Sequence, residues 1–312
     1  MRHIFFPRFP LVASVAAAAA IALTGCGGTS EAGSGDASRP GGAPAVPVNE
    51  KAAALVPAPV ADAGTIRVAT NAPYEPFISF ESEGDTTKFK GLDYDLVTAV
   101  AATLGLKAEF QQQPFDGLVP GLQARKYDAI VGGITDNKER QAAATFVDYS
   151  ASGTGILVTK QNGTGITDLQ SLCGRQVAVQ KASKQVTLLT SFSDGKCNGN
   201  AITLTEYPQN TDAFNAVKAG KAEAFVATKV NLLDIATKVN GQATVVEDPA
   251  APNGYEASPN GIGFLRSEGQ LAKAFQAGLQ ELMDNGSYDE ILGKWGQKPI
   301  GIKEATIDAA ID

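Results

Sequence analysis

The feature that most constrains the fold of this chain is an alternation of strand and helix patterns that occurs twice. In the first round, apolar periodicity predicts strands at 66–70, 108–110 and 129–131, separated by helices at 93–104 and 116–124. In the second round, it predicts strands at 176–179, 201–204 and 224–226, separated by helices at 184–192 and 211–219. Two β-α-β-α-β units favour parallel sheets with right-handed crossovers. We therefore predict an α/β fold with two lobes, and Asp93 as the cap of the first helix.

The C-terminal patterns extend these two units. They predict a helix at 231–239, strands at 244–246 and 262–265, and helices at 268–284 and 288–295. Because the last elements can return to the first lobe, we assign residues 64–155 and 260–299 to the first lobe, 156–259 to the second and 300–312 to a C-terminal tail. Ligands of such sheets bind at the carboxyl ends of the strands, so the cleft between the lobes is the expected site.

The first residues have the pattern of an export signal. Arg2 and Arg8 form a positively charged start, and an apolar, alanine-rich stretch runs from Leu11 to Leu23. This stretch is too short to span a bilayer comfortably, and it ends in Leu23-Thr24-Gly25-Cys26, which resembles the bacterial lipobox. We predict a signal peptide at 1–25 and a lipid on Cys26 that anchors the protein to the outer face of the cell membrane. The alternative is an ordinary signal peptide with an incidental cysteine.

The segment after Cys26 has the composition of a linker. Gly, Pro, Ala and Ser make up 24 of the 37 residues from 27 to 63. Such a stretch buries too little apolar area to offset the entropy lost on ordering. We predict that residues 26–63 form a disordered tether between the membrane and the lobes.

The two other cysteines are Cys173 and Cys197. In an exported protein, an even pair of cysteines most simply forms a disulfide. The chain-entropy model gives such a bridge roughly 3 kcal/mol of stabilisation. A redox or metal-binding pair is the alternative, but the spacing matches no such motif. We predict a structural disulfide.

Charge and histidine content exclude several classes of function. The formal net charge is −7, and it falls further when Arg2 and Arg8 leave with the signal peptide. A pI near 4.9 argues against nucleic-acid binding, which normally requires a basic patch. His3 is the single histidine and lies in the predicted signal peptide, which excludes Ser-His-Asp catalysis and a histidine-ligated metal. We predict no cofactor and no metal.

Five short motifs along residues 66–295 carry a family resemblance. They are Val68-Ala69-Thr70-Asn71-Ala72-Pro73-Tyr74-Glu75-Pro76-Phe77, Gly91-Leu92-Asp93-Tyr94-Asp95-Leu96, Asp116-Gly117-Leu118-Val119-Pro120-Gly121-Leu122, Lys126-Tyr127-Asp128-Ala129-Ile130, and Ile134-Thr135-Asp136-Asn137-Lys138-Glu139-Arg140-Gln141. Their order and spacing resemble the family 3 extracellular solute-binding proteins, the receptors of polar amino acid ABC importers. The resemblance implies a two-lobed periplasmic-binding-protein-like fold, each lobe a mostly parallel sheet flanked by helices, with the ligand cleft between the lobes.

The resemblance also implies a set of ligand-binding residues. Arg140 matches the arginine that binds the ligand carboxylate, and its planar fork suits that group. In the first lobe the other matches are Asn71, Tyr74, Phe77, Phe115, Gly132, Gly133 and Thr135, although Phe77 fits simple core packing better. In the second lobe they are Ser183, Lys184 and Thr228. Lys184 replaces a threonine of the family, so it either adds a positive charge or is solvated.

Two departures concern the group that binds an α-ammonium. The family usually has aspartates where this chain has Asn71 and Thr228. An ammonium buried without a carboxylate is costly. Either Glu75 or Asp116 takes over this role, or the ligand is not an ordinary α-amino acid.

The resemblance implies a monomeric receptor that captures a polar amino acid or related small carboxylate and delivers it to a membrane permease. Hinge bending near 156–158 and 261–263 would close the lobes. Two rival functions stay open. One is an enzyme, since a few proteins of this fold are cyclohexadienyl dehydratases, and turnover of prephenate or arogenate would identify it. The other is an extracytoplasmic sensor, which the absence of ligand-induced closure would favour.

Overall fold

The computed structural model of the protein describes residues 46–310, so the predicted signal peptide and the lipidation site at Cys26 lie outside the described residues. The described strands are β1 Thr65–Thr70, β2 Ser79–Phe80, β3 Phe89–Lys90, β4 Lys107–Gln112, β5 Ala129–Ile130, β6 Ala144–Thr159, β7 Gln176–Gln180, β8 Thr203–Tyr207, β9 Ala224–Thr228, β10 Ala243–Val245, β11 Tyr255–Leu265 and β12 Gly301–Ile307. The described α-helices are α1 Glu50–Ala53, α2 Ala58–Ala63, α3 Leu92–Thr103, α4 Leu118–Gln123, α5 Lys138–Gln141, α6 Lys184–Lys196, α7 Asn210–Lys218, α8 Lys229–Lys238, α9 Gly269–Asp284 and α10 Ser287–Lys294.

Ten of the described strands form a continuous sheet in the order β4-β1-β5-β11-β6-β9-β7-β8, with β10 and β12 also paired to β6, while β2 and β3 form a separate antiparallel pair. At one end, β1 is parallel to β4 and β5. At the other end, β7 is parallel to β8 and β9. We call the end with β1, β4 and β5 and its helices the first lobe, and the end with β7, β8 and β9 and its helices the second lobe. The predicted α/β fold with two lobes is confirmed.

The core of the first lobe depends on helix α9. Leu271, Phe275, Leu279 and Leu282 recur at spacings of three or four residues and are fully buried. They belong to the same apolar cluster as the buried face of α3, and the Phe275 ring lies 4.9 Å from that of Phe264. Burial of each side chain of this size contributes roughly 1.5–3 kcal/mol to the free energy of unfolding. The C-terminal helices thus complete the first lobe.

Two long strands join the lobes. Strand β6 pairs with β11 and β12 in its first half and with β9 of the second lobe in its second half. Its partner β11 is antiparallel to β6, with register shifts at 255–258 and at 260–261. Hinge bending near 156–158 and 261–263 stays a prediction.

The predicted disulfide is present in the second lobe. Cys173 and Cys197 are bonded, with their Cα atoms 5.4 Å apart. The bridge connects the residue after a 3₁₀ turn with the end of α6, and Cys197 is buried in the apolar cluster of this lobe. It therefore fixes α6, whose first turn is described below as part of the candidate site.

The prediction of a disordered linker is wrong for residues 50–63. This segment forms α1 and α2, and it buries Ala52 and Val56 against the first lobe. Asn49 caps α1 with its side chain, while its amide donates to the Thr103 carbonyl at 2.8 Å. Composition alone missed the segment because a helix cap and two small apolar side chains suffice to dock so short a piece.

The predicted C-terminal tail also forms regular structure. Strand β12 pairs with β6, and the Asp308 carboxylate accepts a hydrogen bond from the Phe146 amide at 2.8 Å. The pattern of apolar residues in β12 was too weak to predict a strand from the sequence. Within residues 46–310, none of the helices combines the length and apolar character needed to cross a membrane.

Candidate ligand-binding site

A small cavity lies between the two lobes at the carboxyl ends of their parallel strands. Tyr74, Phe115, Gly133 and Thr135 follow strands of the first lobe, and Arg140 lies on α5 just beyond. From the second lobe the lining residues are Gln180, Ser183, Lys184, Gln185, Asn210, Val226, Ala227 and Thr228. The cavity volume is about 20 Å³, room for about one water molecule. A ligand of amino-acid size therefore requires the lobes or the side chains around it to move.

Arg140 connects the two lobes at this cavity. Its Nη1 donates to the Thr135 carbonyl at 2.8 Å, and its Nη2 donates to the Ala182 carbonyl of the second lobe at 3.1 Å. The guanidinium carbon lies 5.5 Å from the centre of the Phe115 ring. Both terminal nitrogens of the Arg140 guanidinium thus donate to carbonyl oxygens. Binding of a carboxylate uses the same two donors, one for each carboxylate oxygen.

The rest of the first-lobe wall is rigidly packed. The Tyr74 ring stacks on Phe77 with a centroid distance of 5.8 Å, and burial raises the pKa of Tyr74 to about 12. Gly133 has a φ of +61°, and a Cβ there would lie 2.9 Å from atoms of both rings. Only a glycine fits this position without displacing the aromatic pair.

Asp93 supports this wall from behind. The helix cap predicted at Asp93 is wrong, because α3 begins at Leu92 after Gly91 and makes Asp93 its second residue. The Asp93 Oδ2 instead accepts a hydrogen bond from the Gly133 amide at 2.8 Å. The side chain is fully buried, and desolvation raises the pKa of the carboxyl to about 7.

The second-lobe wall is built around the first turn of α6. Ser183 precedes the helix in an extended conformation, is 8% exposed, and its Oγ has no hydrogen-bond partner among residues 46–310. Lys184 is 7% exposed, and its Nζ donates to the Glu256 carbonyl at 3.2 Å. The first turn of a helix carries partial positive charge, so this wall favours an anion.

Three residues with predicted binding roles do not line the cavity. The Asn71 amide is turned toward the Gln113 carbonyl and the Gln180 side chain, at 2.8 and 2.9 Å. Phe77 is fully buried beneath Tyr74. Gly132 lies beside the Thr70 hydroxyl, which a Cβ would approach to 2.9 Å. Direct contact of these three with a ligand stays a prediction.

Five lining residues were not predicted from the sequence: Gln180, Gln185, Asn210, Val226 and Ala227. Each stands at the end of a second-lobe strand or at the start of a helix, which is where ligands of such sheets bind. Asn210 donates to Asn231 Oδ1 at 2.8 Å, and Gln185 donates to the Thr154 hydroxyl at 3.1 Å. The sequence signal that could have identified these residues is their position at the end of a strand or at the start of the helix that follows it.

Further hydrogen bonds hold the lobes together around the cavity. The Asn231 side chain donates to the Glu75 carbonyl at 2.6 Å, and the Thr228 amide donates to the Tyr74 hydroxyl at 3.4 Å. At the rim, Lys181 pairs with Asp116 at 2.8 Å. With the contacts of Arg140 and Gln180, these bonds make this a closed arrangement of the two lobes.

Neither candidate carboxylate faces the cavity. Glu75 Oε1 accepts a hydrogen bond from the Ser79 hydroxyl at 2.6 Å, and Asp116 is paired with Lys181 at the exposed rim. Among the described residues that line the cavity, Arg140 and Lys184 carry charge, and none is Asp, Glu or His. Across residues 46–310, no group of three or more His, Cys, Asp or Glu side chains is arranged to hold a metal ion.

The chain is similar to known proteins in both sequence and structure. The model of the bacterial extracellular solute-binding proteins, family 3, matches residues 66–298. An arginine-binding protein of Corynebacterium glutamicum is 31% identical over 261 residues, which are 83% of this chain and 81% of that protein. The lysine/arginine/ornithine-binding periplasmic protein of Escherichia coli is 24% identical, covering 74% of this chain and 87% of that protein.

Two solved structures are also similar. An ancestral arginine-binding protein bound to arginine has a TM-score of 0.64 and 29% identity, covering 74% of this chain and 98% of that chain. An ancestral amino acid-binding protein, a precursor of cyclohexadienyl dehydratase, has a TM-score of 0.63 and 28% identity, covering 76% of this chain and 97% of that chain.

Proposed function

The chain belongs to the bacterial extracellular solute-binding proteins of family 3, and we propose that it captures a polar amino acid or a related small carboxylate for an ABC importer. The observation that carries the proposal is the position of Arg140, whose fork meets both lobes at the cavity between them. Similar proteins named for binding arginine, or lysine, arginine and ornithine, support an amino-acid-like ligand.

In the proposed complex the ligand carboxylate binds the Arg140 guanidinium and replaces one of the two carbonyl oxygens that it contacts. The Thr135 hydroxyl and the Gly133 backbone lie on the same wall and supply further polar contacts. Tyr74 and Phe115 flank the remainder of the ligand with their rings. Ser183 adds a hydroxyl from the second lobe, where its Oγ has no partner in the closed arrangement.

Capture is proposed to proceed by closure of the two lobes. The lobes are joined through β6 and β11, and the bonds between Gln180 and Asn71 and between Asn231 and Glu75 form only when the lobes meet. A ligand that contacts both walls shifts the open–closed equilibrium toward the closed form. The bending points are those predicted near 156–158 and 261–263.

The closed protein would then deliver its ligand to a membrane permease. The predicted signal peptide at 1–25 and the lipid on Cys26 would keep the monomer at the outer face of the cell membrane. Docking of the permease is expected to increase when ligand is present. Equal docking with and without ligand in vesicles would count against this step.

A thermal-shift screen of the purified protein tests the proposal. Natural amino acids, their amides, small dicarboxylates and betaines form the panel, because a ligand at a hundredfold excess over Kd stabilises the native state by about 2.7 kcal/mol. The shift should be lost in Arg140→Ala. It should persist in Arg67→Ala, a matched control whose exposed guanidinium pairs with Asp128 in the same lobe.

Two results would contradict the proposal: no shift with any compound, or an undiminished shift in Arg140→Ala. Circular dichroism of the variant shows whether it is folded. An assay with prephenate and arogenate tests the enzyme alternative directly. Since no carboxyl or imidazole group of the described residues lines the cavity to act as general acid, no turnover is expected.

A further inference from the structure

A chain of amide hydrogen bonds connects the first lobe with Gln180 on the second-lobe wall. Asn71 Nδ2 donates to the Gln113 carbonyl oxygen at 2.8 Å, and Asn71 Oδ1 accepts from Gln180 Nε2 at 2.9 Å. Because a backbone carbonyl only accepts, the Asn71 amide has a single satisfied orientation, and Gln180 must face it with the nitrogen. Gln180 Nε2 also donates to the Pro208 carbonyl at 3.3 Å. The Gln180 Oε1 is therefore left for the cavity that this residue lines.

A second chain of amides runs in the same direction and ends at Asn210. Asn231 Nδ2 donates to the Glu75 carbonyl oxygen of the first lobe at 2.6 Å, and Asn231 Oδ1 accepts from Asn210 Nδ2 at 2.8 Å. If the Asn231 amide were reversed, two acceptor oxygens would face each other at that short distance. The orientation of Asn231 is thus fixed, and Asn210 likewise keeps its Oδ1 for the cavity that it lines.

Both chains leave an amide oxygen on the second-lobe wall. The side-chain hydrogen bonds that Gln180 and Asn210 form within residues 46–310 are all made by their nitrogens, and both residues are buried. We propose that these two oxygens bind the α-ammonium of an amino acid, and that Asn71 and Asn231 are positioning residues that orient them when the lobes close. This inference rests on the proposed receptor function and names the groups that take the place of the family's aspartates.

An ammonium group matches this pair of oxygens in hydrogen-bonding character. It carries three N–H donors and no acceptor, so it can donate to both amide oxygens at once. No Asp or Glu is among the described residues that line the cavity, so the ammonium depends on these hydrogen bonds and on the carboxylate of the same ligand, bound at Arg140. Asn71, which stands where the family usually has an aspartate, then acts on the ligand through Gln180 rather than by direct contact.

Closure of the lobes decides whether the two acceptors are presented. The bonds from Gln180 to Asn71 and from Asn231 to the Glu75 carbonyl both cross from the second lobe to the first. When the lobes separate, these bonds break, and the amides of the second lobe lose the partners that fix their orientation. The ammonium therefore binds better to the closed form and shifts the equilibrium toward it.

Calorimetric titration of the purified protein with matched pairs of compounds tests the inference. L-arginine and L-glutamine are compared with 5-guanidinopentanoate and 4-carbamoylbutanoate, in which hydrogen replaces the α-ammonium. Each amino acid that binds should bind at least tenfold more tightly than its deamino analogue. Any other amino acid that stabilises the protein in the thermal-shift panel is compared with its own deamino analogue in the same way.

Asn231→Leu interrupts one chain without changing a residue that lines the cavity. The preference for the amino acid over its analogue should fall at least threefold, because the Asn210 amide loses its orienting partner; a merely structural role would weaken both compounds equally. Asn162→Leu is the matched control, because Asn162 also donates to a backbone carbonyl of the second lobe, that of Val217 at 2.8 Å, and does not line the cavity. The control should keep the full preference.

Two substitutions of Asn210 give a second measurement that does not depend on the folding of Asn231→Leu. Asn210→Leu removes the acceptor itself and should lower the preference at least threefold. Asn210→Asp keeps an acceptor oxygen on the wall and should keep the preference. Thermal unfolding shows whether each variant folds.

The inference is overturned if the deamino analogues bind as tightly as the amino acids, or if Asn231→Leu and Asn210→Leu keep the full preference. In both cases the receptor function stands, because a carboxylate still binds. A panel in which dicarboxylates or betaines alone stabilise the protein also overturns the inference, since these compounds have no N–H donor, and it again leaves the receptor function intact. If no compound binds in titration or in the panel, the receptor function fails and the inference fails with it.

Discussion

The two walls of the cavity differ in how fully their groups are already engaged. On the first-lobe wall, Tyr74 stacks on Phe77, Arg140 lies over Phe115, and Asp93 holds the Gly133 amide. On the second-lobe wall, the Ser183 hydroxyl is buried without a partner among the described residues, and Lys184 contacts both the carbonyl and the partly exposed carboxylate of Glu256. The first lobe therefore presents a preorganised surface. On the second-lobe wall the amide nitrogens of Gln180, Gln185 and Asn210 are hydrogen-bonded as well, and the Ser183 hydroxyl is a group that we expect a ligand to engage.

This difference assigns different tasks to the lobes. A preorganised wall loses little entropy on binding, so the first lobe should set most of the affinity. The second lobe, whose groups gain from the ligand, should set how strongly the ligand favours closure and which charge it must carry. Substitutions in the first lobe should accordingly change both stability and binding, and those in the second lobe should change binding alone.

The largest effect is expected from the buried carboxyl behind the first-lobe wall. Because burial raises the pKa of Asp93 to about 7, the native state holds a proton that the unfolded state releases near pH 4. The contribution of Asp93 to the free energy of unfolding therefore falls as the pH rises from 4 to 7, and it is smallest above pH 7. Asp93→Asn keeps an acceptor for the Gly133 amide and should raise the unfolding free energy at pH 8 by a few kcal/mol, on the order of 1.4 per pKa unit.

Urea unfolding of the protein and of Asp93→Asn between pH 4 and 8 measures this effect. Asp148 has a pKa raised to about 7 by burial as well, so the variant should keep part of the pH slope. Both carboxyls belong to the first lobe and its junction strand. An unchanged slope in Asp93→Asn would show that this wall is not preorganised in the way proposed.

A smaller effect is expected from the close packing of the same wall. Gly133→Ala places a methyl group 2.9 Å from the Tyr74 and Phe77 rings in a left-handed conformation. Overpacking of this kind costs about 1–3 kcal/mol, and the shifted Tyr74 ring should weaken binding by roughly tenfold. Gly195→Ala, in α6 with open space around it, is the control: it should leave binding unchanged and should not lower stability, because alanine is the better helix former. Equal behaviour of the two variants would contradict the rigid first-lobe wall.

The smallest effect is expected on the second-lobe wall and should appear in binding alone. Ser183→Ala removes a hydroxyl that has no partner in the closed arrangement, so the unfolding free energy should not fall. Loss of its hydrogen bond to ligand should cost about 1 kcal/mol, roughly fivefold in Kd. Thermal unfolding and titration of the same preparation separate the two quantities. A loss of stability without a loss of affinity would reverse the division of tasks between the lobes.

Much of the fold could be predicted from the sequence because its determinants are local. The apolar periodicity predicts helices at 93–104 and 268–284, and the structure has α3 Leu92–Thr103 and α9 Gly269–Asp284; strand β1 differs from its prediction by a single residue. The missed elements are the hairpin of β2 and β3, the strand β12, the docked helices at 50–63, and also the long strand β6 and the first half of β11, which join the lobes. Their pairing depends on residues that are distant in sequence, so no local pattern marks them.

For the candidate site, the motifs of the sequence determined a set of predicted binding residues, and eight of them line the cavity: Tyr74, Phe115, Gly133, Thr135, Arg140, Ser183, Lys184 and Thr228. Their contact with a ligand stays a prediction. Only the tertiary structure decided which other groups meet there. The sheet order brings Gln180 and Asn210 of the second lobe to the same cavity, although they are separated along the chain. A hydrogen bond from nearby Ser79 holds Glu75 away from it, and a long-range bond from the Gly133 amide does the same for Asp93. The sequence fixes which ionisable groups a chain carries, but the direction in which each side chain points is fixed by partners that only folding supplies.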